Sequence, residues 1–296
     1  MTDTELHYQI LPDGTAALKG GGAGRKRIVI PESVNGMTVS AIASHAFADR
    51  GEITEITVPP AVREIGSYAF YHCESLRKLY LTDSIEDYAD GVIRMCPSLA
   101  RIEIRMDRGN WRLIKDLTGD SEAELDLCLR MPDGTAELLF PGYYNEIRED
   151  TRARAIHQSI VGAGYTYRQC VTRKGIDYAQ YDAAFPRIAQ VDLLTGGRIA
   201  LGRLYSPYFL SEKAEAAYRE FLPQASCELL PWLISERDAE KIRFLVREAD
   251  VPREVLEDGA GRASDARLTG ICGILMDAAG QRDHDGGMET FSLEDF

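Results

Sequence analysis

The residues best suited to chemistry lie near the middle of the chain, in residues 162–170, which read Gly-Ala-Gly-Tyr-Thr-Tyr-Arg-Gln-Cys. The candidate binding residues there are Tyr167 and Arg168, joined by Asp182 further along. His157 precedes Cys170, and a thiol beside an imidazole can act as a nucleophile with its general base. No orienting third residue and no oxyanion loop can be named, so packing of tyrosines around a buried arginine is the simpler interpretation. The segment predicts either a ligand site or a packed cluster.

A second segment has a composition that suits an anion. Residues 19–27 combine glycines with lysine and arginine, and glycine amides beside basic side chains suit a phosphate. The segment lacks a Gly-Lys-Ser/Thr ending, and a strand follows it, whereas a phosphate loop opens a helix. We therefore predict a flexible connection with solvated charges. The 6 cysteines show no Cys-x-x-Cys spacing and the histidines no ligand spacing, so the sequence predicts no metal and no cofactor.

The composition favours a protein partner over nucleic acid or a membrane. The 296 residues include 34 Lys and Arg against 47 Asp and Glu, and the net charge of −13 disfavours phosphate backbones and anionic membrane surfaces. No run of residues is long and apolar enough to span a bilayer. The chain begins Met-Thr-Asp-Thr-Glu, without the basic and apolar segments of an export signal, so we expect a cytoplasmic protein.

The clearest structural pattern in the sequence is a repeat with a step of 23 residues, in the first third of the chain. Apolar or aromatic positions recur at that step in three series: Ile42, Ile65 and Tyr88; Phe47, Phe70 and Ile93; Ile53, Leu76 and Leu99. Such a step indicates a solenoid of stacked turns, each with a strand and a small helical turn on its outer arc. The strand triplets are 28–30, 56–58, 79–81 and 102–104, with apolar first and third residues. Since side chains alternate along a strand, the middle residues Val29, Thr57, Tyr80 and Glu103 should form an open face of a parallel sheet.

The repeat unit has the form I-x-I-P-x-x-V-x-x-I-x-x-x-A-F-x-x-C-x-x-L and resembles the leucine-rich repeats of the BspA-like class. The copy from Ile56 to Leu76 matches the pattern best, with Pro59, Val62, Ile65, Ala69, Phe70 and Cys73 all in place. The next copy departs from it, with Thr82 in place of proline and Val92-Ile93 in place of Ala-Phe, which indicates that the array ends there. The resemblance covers residues 28–104. It implies a β-solenoid that serves as a recognition surface, in relatives that often lie at the cell surface.

Two cysteines occupy the same position of successive repeats. Cys73 and Cys96 should lie on neighbouring rungs about 5 Å apart, which is the strand-to-strand distance and would permit a disulfide. In a reducing compartment, a pair of small buried thiols is the expected state. The sequence leaves both states open.

The rest of the chain predicts caps and a helical domain. Residues 1–27 should form an N-terminal cap hairpin, and residues 105–143 a C-terminal cap made of a helix plus a β-hairpin. Residues 144–280 have the composition of an α-helical domain, with helices expected at 148–163, 180–204, 211–222, 227–235, 238–249, 252–263 and 265–278. The last three resemble ankyrin-type helix pairs, although the recurrence near 27 residues differs from the ankyrin step. Residues 281–296 predict a flexible acidic tail.

These observations predict an α+β protein in which a short leucine-rich-repeat β-solenoid with hairpin caps precedes an α-helical domain. The predicted function is non-catalytic recognition of a protein partner, or scaffolding, through Thr57, Tyr80 and Glu103 on the strand face. Two alternatives stay open. One is an enzyme or small-ligand-binding protein with its site at the cluster around Tyr167, and the other is a structural subunit of an assembly.

Overall fold

A computed structural model describes residues 5–150 and 155–286. The chain divides into two compact units, Met1–Ala184 and Phe185–Phe296. The first unit contains a β-solenoid and the second contains helices, so the α+β prediction is confirmed. The boundary between the two units follows Ala184 in the chain, whereas the sequence places the start of the helical domain at residue 144.

The first unit is built mainly of short strands. Its described strands are β1 Leu6–Ile10, β2 Ala16–Gly21, β3 Arg27–Val29, β4 Ser33–Val34, β5 Met37–Ile42, β6 Glu55–Thr57, β7 Glu64–Ile65, β8 Lys78–Thr82, β9 Asp87–Tyr88, β10 Arg101–Arg105, β11 Leu125–Met131, β12 Gly134–Phe140, β13 Tyr144–Asp150, β14 Ala155–Val161, β15 Val171–Thr172 and β16 Gly175–Ile176. Its helices are α1 Trp111–Gly119, α2 Gly164–Gln169 and α3 Tyr178–Ala183. One sheet has the order β12-β11-β10-β8-β6-β3, here called the repeat sheet. The other has the order β1-β2-β5-β7-β9, with β4 paired to β5.

The core of the solenoid lies between the strands and the outer turns, where the 23-residue step predicts it. Ile28, Ile56, Leu79 and Ile102 are buried at equivalent positions of β3, β6, β8 and β10, which pair in parallel. On the outer arc Phe47, Phe70 and Ile93 are buried in the same way. The rings of Phe47 and Phe70 have centroids 6.2 Å apart. Burying each such side chain contributes roughly 1.5–3 kcal/mol, so the repeated apolar positions hold neighbouring turns together.

The outer arcs are hydrogen-bonded turns and not the small helical turns that the sequence predicts. Left-handed residues recur at two positions of each arc: His45, Tyr68 and Gly91 at the first, and Asp49, His72 and Met95 at the second. A right-handed helix cannot continue through such residues. The backbone N–H of Phe47 donates to the carbonyl of Ala69 at 2.8 Å, and that of Phe70 to the carbonyl of Val92 at 2.9 Å. Each arc is therefore bonded to the next one by a backbone ladder.

The two hairpins continue the sheets of the solenoid. β1 and β2 form an antiparallel hairpin, and β2 pairs in parallel with β5. At the other end, β11 pairs in parallel with β10 and antiparallel with β12. Ile102 lies opposite Leu127 and Ile104 opposite Leu129, so the apolar alternation of β11 matches that of the repeats. The repeat sheet therefore has six strands, two more than the repeats themselves provide.

A buried carboxylate ends the backbone ladder of the outer arcs. Asp120 follows α1, and its oxygens accept hydrogen bonds from the N–H of Gly91 at 2.8 Å and of Ile93 at 2.9 Å. These two N–H groups are equivalent to those that bond to the next turn in earlier repeats. The hydroxyl of Tyr88 donates to Asp120 at 3.1 Å. Asp120 therefore replaces the carbonyls of a missing turn.

A strand pair occupies residues that the sequence predicts as a helix over 148–163. β13 and β14 pair antiparallel, with Tyr144 opposite Val161 and Asn145 opposite Ile160. The helix prediction is wrong there. The Arg, Glu and Ala content favours a helix locally, but strand pairing depends on a second segment and overrides that weak preference.

The second unit consists of helices in its described part: α4 Phe185–Ala189, α5 Leu193–Tyr205, α6 Glu212–Glu236, α7 Ala239–Glu248, α8 Arg253–Asp265 and α9 Thr269–Gly286. Side chains cap two of these helices: Ser211 accepts a hydrogen bond from the N–H of Ala214 at 3.3 Å, and Asp238 accepts one from the N–H of Lys241 at 3.0 Å. The predicted helix at 180–204 is instead divided among α3, α4 and α5. It is interrupted where Asp192 caps α5.

The helices predicted at 211–222 and 227–235 are one continuous helix, α6, which contains Pro223 and Pro231. A proline in a helix removes one backbone hydrogen bond. The buried face of α6, which includes Leu222 and Leu229, compensates for that loss by packing. Gly197 of α5 lies so close to α6 that a Cβ atom there would be 3.0 Å from the Cβ of Ala225. The absence of a side chain at Gly197 therefore permits the close contact between α5 and α6.

The predicted acidic tail, 281–296, begins within α9, and residues 287–296 lie outside the described residues. Among the helices that the structure describes, none combines the length and the apolar character that a membrane crossing requires.

Candidate functional site

The predicted strand-face residues lie side by side in one row across the repeat sheet. Thr57 is the register partner of Tyr80, and Tyr80 is the partner of Glu103. The row begins at Val29 on β3, which pairs with Thr57. Beyond Glu103 it continues through Cys128 of β11 to the strand β12. The structure therefore brings the three predicted residues together, at the roughly 4.8 Å spacing of neighbouring strands.

The row has an open end at β3, β6 and β8. Val29 is 63% exposed, and Thr57 and Tyr80 are half-buried. Burial raises the pKa of Tyr80 above its ordinary value, and the carboxylates of Glu55 and Glu103 add to that effect. In the part of the chain that the structure describes, the hydroxyl groups of Tyr80 and Thr57 have no hydrogen-bond partner. This end of the row offers one apolar side chain and two hydroxyl groups to solvent.

The other end of the row is filled by an ion-pair network around Arg101. The guanidinium of Arg101 lies 3.3 Å from carboxylate oxygens of Glu103, Asp126 and Glu137. Burial alone would lower the pKa of Arg101, but Asp126 and Glu137 outweigh it and raise that pKa above its ordinary value. Glu103 also accepts a hydrogen bond from Arg130 at 2.9 Å. Glu103 therefore already has two cationic partners within the sheet, while Tyr80 and Thr57 do not.

Sequence reasoning missed the residues of this network on β11 and β12. Asp126 and Glu137 lie far from the repeats in sequence, and burial raises the pKa of the neighbouring Cys128 thiol to about 11. The alternation of Leu125, Leu127 and Leu129 is the signal that could have located Asp126. It places the residues between the leucines on the face opposite the core, as in the repeat strands.

The second predicted cluster is held together by the side chain of Arg168 on α2. Its guanidinium donates to the carbonyl oxygens of Pro141 at 2.6 Å, Ala123 at 2.5 Å, Thr118 at 3.1 Å and Gly164 at 3.2 Å. Burial lowers the pKa of Arg168. The arrangement links α2 to the segments before and after the β11–β12 hairpin, and it uses the donors that a bound anion would need.

Tyr167 and Asp182 lie at the edge of the same cluster, in different surroundings. Tyr167 is fully buried, and its ring meets that of Tyr181 edge to face at 4.7 Å. Its hydroxyl has no hydrogen-bond partner among the described residues, and burial raises its pKa. Tyr181 donates its own hydroxyl to the carbonyl of Leu139 at 2.7 Å. Asp182 on α3 is half-buried. These contacts join α2 and α3 to the edge strand β12.

The thiol of Cys170 does not have the environment of a nucleophile. It is buried, donates to the carbonyl of Thr166 at 3.6 Å, and has a pKa raised to about 11 by burial. A catalytic thiol needs a lowered pKa, because the thiolate is the reactive form. The side chain of His157 lies outside the described residues.

Cys73 and Cys96 are free and buried. Each donates its thiol hydrogen to a carbonyl of the preceding turn at 3.1 Å, Cys73 to that of Phe47 and Cys96 to that of Phe70.

Near them, a groove of about 770 Å³ lies beside the last outer arc, with His72, Met95 and Asp120 in its lining. Among the described residues, no cluster of three His, Cys, Asp or Glu side chains is placed to hold a metal ion.

The sequence of the solenoid matches one family model. Residues 26–111 match the BspA type leucine rich repeat region in 6 copies. No curated protein is similar to the chain at a significant level. Because the family match covers residues 26–111, the ankyrin-type resemblance of the last helices stays a prediction.

Solved structures of bacterial leucine-rich repeat proteins are also similar to part of the chain. One, from Bacteroides capillosus, is 28% identical, over 36% of this chain and 89% of that one, with a TM-score of 0.27. Another, from Bacteroides ovatus, is 22% identical, over 43% of this chain and 36% of that one, with a TM-score of 0.32. A leucine rich cell surface protein from Faecalibacterium prausnitzii is 21% identical, over 45% of this chain and 42% of that one, with a TM-score of 0.30. This chain therefore spans less than half the length of the last two proteins.

Proposed function

Because residues 26–111 are a BspA-type leucine-rich repeat region, we propose that the protein recognises a protein partner through the solvent face of its repeat sheet. Leucine-rich repeat regions generally serve as protein-interaction modules. The observation that supports this face is the row Val29, Thr57 and Tyr80. It combines an exposed apolar side chain with hydroxyl groups that lack partners among the described residues.

The two ends of the row have different roles in the proposal. Tyrosine is enriched among residues that dominate binding energy, because it buries a large ring and offers a hydroxyl group. Tyr80 is therefore the proposed anchor, flanked by Thr57. Glu103 is paired with Arg101 and Arg130, so it lies next to Tyr80 but is not offered to a partner. A partner that approached Glu103 would have to displace existing ion pairs, so the direct contact is expected at β3, β6 and β8.

The size of the face indicates that a partner must extend beyond it. Six strands at about 4.8 Å span roughly 24 Å, and a strand of five residues is about 16 Å long. The face therefore covers about 400 Å² in projection, whereas a stable interface buries about 800 Å² on each partner. The sheet alone supports a weak or transient complex, and a tighter complex needs a second surface.

Affinity capture from a lysate of the source organism tests the proposal with the variant Thr57→Arg combined with Tyr80→Glu. The two positions are cross-strand neighbours, so the new charges are of opposite sign and should limit damage to the fold. The matched control is Ser44→Arg with Ser98→Glu, which places the same charges on exposed serines of the outer turns. Circular dichroism and unfolding midpoints of all three proteins establish that each is folded.

The proposal predicts a protein that the native chain and the control both retain and the strand-face variant loses. Equal capture by all three proteins would contradict it. Loss of the partner by the control as strongly as by the strand-face variant would also contradict it, because the outer turns would then be the contact.

A further inference from the structure

The second unit has a groove that the strand-face proposal does not use. It has a volume of about 900 Å³ and lies between α4, the loop before α5 and residues 217–228 of α6. Its apolar floor includes Phe185 and Phe221, whose rings meet edge to face at 5.2 Å. Val191 stands at its edge and is 79% exposed. Contiguous apolar surface of this kind, when polar residues rim it, is typical of a site that binds another molecule.

The polar lining of this groove is acidic. Glu220, Gln224 and Glu228 line it from α6 at a spacing of four residues, so they lie on one face of the helix. Asp192 lines it from the opposite side. The basic residues of α4, α5 and α6, all within the described residues, do not line it. The groove therefore presents an apolar floor between carboxylates.

Two of these carboxylates are unpaired among the described residues. In the part of the chain that the structure describes, Glu220 and Glu228 form no ion pair or hydrogen bond and are exposed. Elsewhere on α6, Glu215 is paired with Arg219 at 2.9 Å, and Arg219 also reaches Glu248 on α7. Glu220 and Glu228 are eight residues apart, which is roughly 12 Å along a helix. A partner with cations at a similar separation would match them.

We propose that this groove binds a basic amphipathic helical segment of a protein partner. Its apolar side chains would pack on Phe221 and Phe185, and its lysine or arginine side chains would pair with Glu220 and Glu228. A separation of 12 Å corresponds to about two helical turns, so cations on one flank of a short helix reach both carboxylates. The proposal is independent of the strand face, because its residues belong to the second unit.

Fluorescence polarisation on the full chain tests this proposal. The probe is a fluorescein-labelled helical peptide with leucine on one face and lysine on the other, compared with a peptide that has glutamate in place of each lysine. The test variant is Glu220→Lys with Glu228→Lys. The control is Glu254→Lys with Asp277→Lys, which changes the net charge equally at exposed positions of α8 and α9. A third variant, Phe221→Ala, removes part of the apolar floor.

The proposal predicts that the basic peptide binds the native chain and the control alike, and that the acidic peptide does not bind. Affinity should fall about tenfold or more in the Glu220 and Glu228 variant, since two ion pairs become repulsive, and Phe221→Ala should also weaken binding. Equal binding to the test and control variants would overturn it, because attraction to the net charge alone would then explain the result. Failure of the basic peptide to bind the native chain would overturn it too.

Light scattering on the same proteins tests whether a second copy of the chain occupies the groove. Concentration-dependent dimerisation of the native chain that Phe221→Ala abolishes would assign the groove to a second copy of the chain and would contradict the proposal. A monomeric native chain is the expected result. Neither outcome affects the strand face, whose test uses Thr57 and Tyr80.

Discussion

Replacement of Asp120 tests whether one carboxylate ends the backbone ladder of the solenoid. Asp120 is buried and accepts hydrogen bonds from the N–H groups of Gly91 and Ile93. Asp120→Ala leaves these two buried backbone donors unpaired, each at a cost of about 1–3 kcal/mol, and it also removes the acceptor of the Tyr88 hydroxyl. Relief of the desolvation of a buried carboxylate offsets part of this loss. We therefore expect the free energy of unfolding of the first unit to fall by about 3 kcal/mol.

Asp120→Asn gives a sharper test of the same reasoning. The asparagine side chain has one acceptor oxygen, so it can satisfy one of the two N–H groups while its own amide opposes the other. We expect a loss of about 2 kcal/mol. The control is Asp116→Ala, four residues earlier, which removes a half-exposed i,i+4 ion pair with Arg112 and should change stability by less than about 0.5 kcal/mol.

The two tryptophans allow this loss to be assigned to the first unit. Trp111 begins α1 in the first unit, and Trp232 lies on α6 in the second. In a Trp232→Phe background, urea unfolding followed by fluorescence therefore reports on the solenoid. Burial raises the pKa of Asp120, so the measurement is made at pH 8 to keep its carboxyl group ionised. If Asp120→Ala and Asp116→Ala differ by less than 0.5 kcal/mol, the ladder does not depend on Asp120.

Three further predictions concern the first unit. Arg168→Met leaves four carbonyl oxygens without their donor and should lower its unfolding free energy by about 3 kcal/mol in the same fluorescence assay, and a loss below 1 kcal/mol would contradict the linking role. Tyr167→Phe removes a buried hydroxyl without a partner among the described residues, so urea unfolding should show no loss or a gain of up to about 1 kcal/mol, and a clear loss would reveal a partner. A hydrogen bond to Asp49 raises the pKa of His72, so the stabilisation is complete below about pH 6.5 and is lost as pH rises through the folded-state pKa. The difference in unfolding midpoint between the native chain and His72→Gln should therefore be larger at pH 5.5 than at pH 9, and equal differences would refute that interpretation.

The repeats could be predicted because each repeat carries the same pattern, so the pattern within one repeat also specifies its contacts with the next. Ile56 is the register partner of its equivalents Ile28 and Leu79, and the ring of Phe70 lies beside that of Phe47, so one spacing in the sequence specifies both the strand and its partner. The same alternation of side chains identified Thr57 and Tyr80 as neighbours on the open face.

The features that escaped prediction depend on contacts between dissimilar segments. The pairing of β13 with β14 overrides a helical composition, and the ion pairs of Arg101 require that β11 join the repeat sheet. The continuity of α6 through Pro223 depends on its buried face rather than on local propensity. Arg168 donates to carbonyl groups of several segments, such as that of Pro141, and no sequence pattern predicts that these segments lie together.

Site-specific photo-crosslinking tests the central claim most directly. A photoreactive phenylalanine analogue is placed at position 80 of the repeat sheet or, as a control, at position 95, where Met95 is exposed on the outer arc. Both proteins are irradiated in cells of the source organism. The account predicts a defined protein adduct from position 80 and none from position 95. The same adduct from both positions, or an adduct from position 95 alone, would contradict recognition through the strand face.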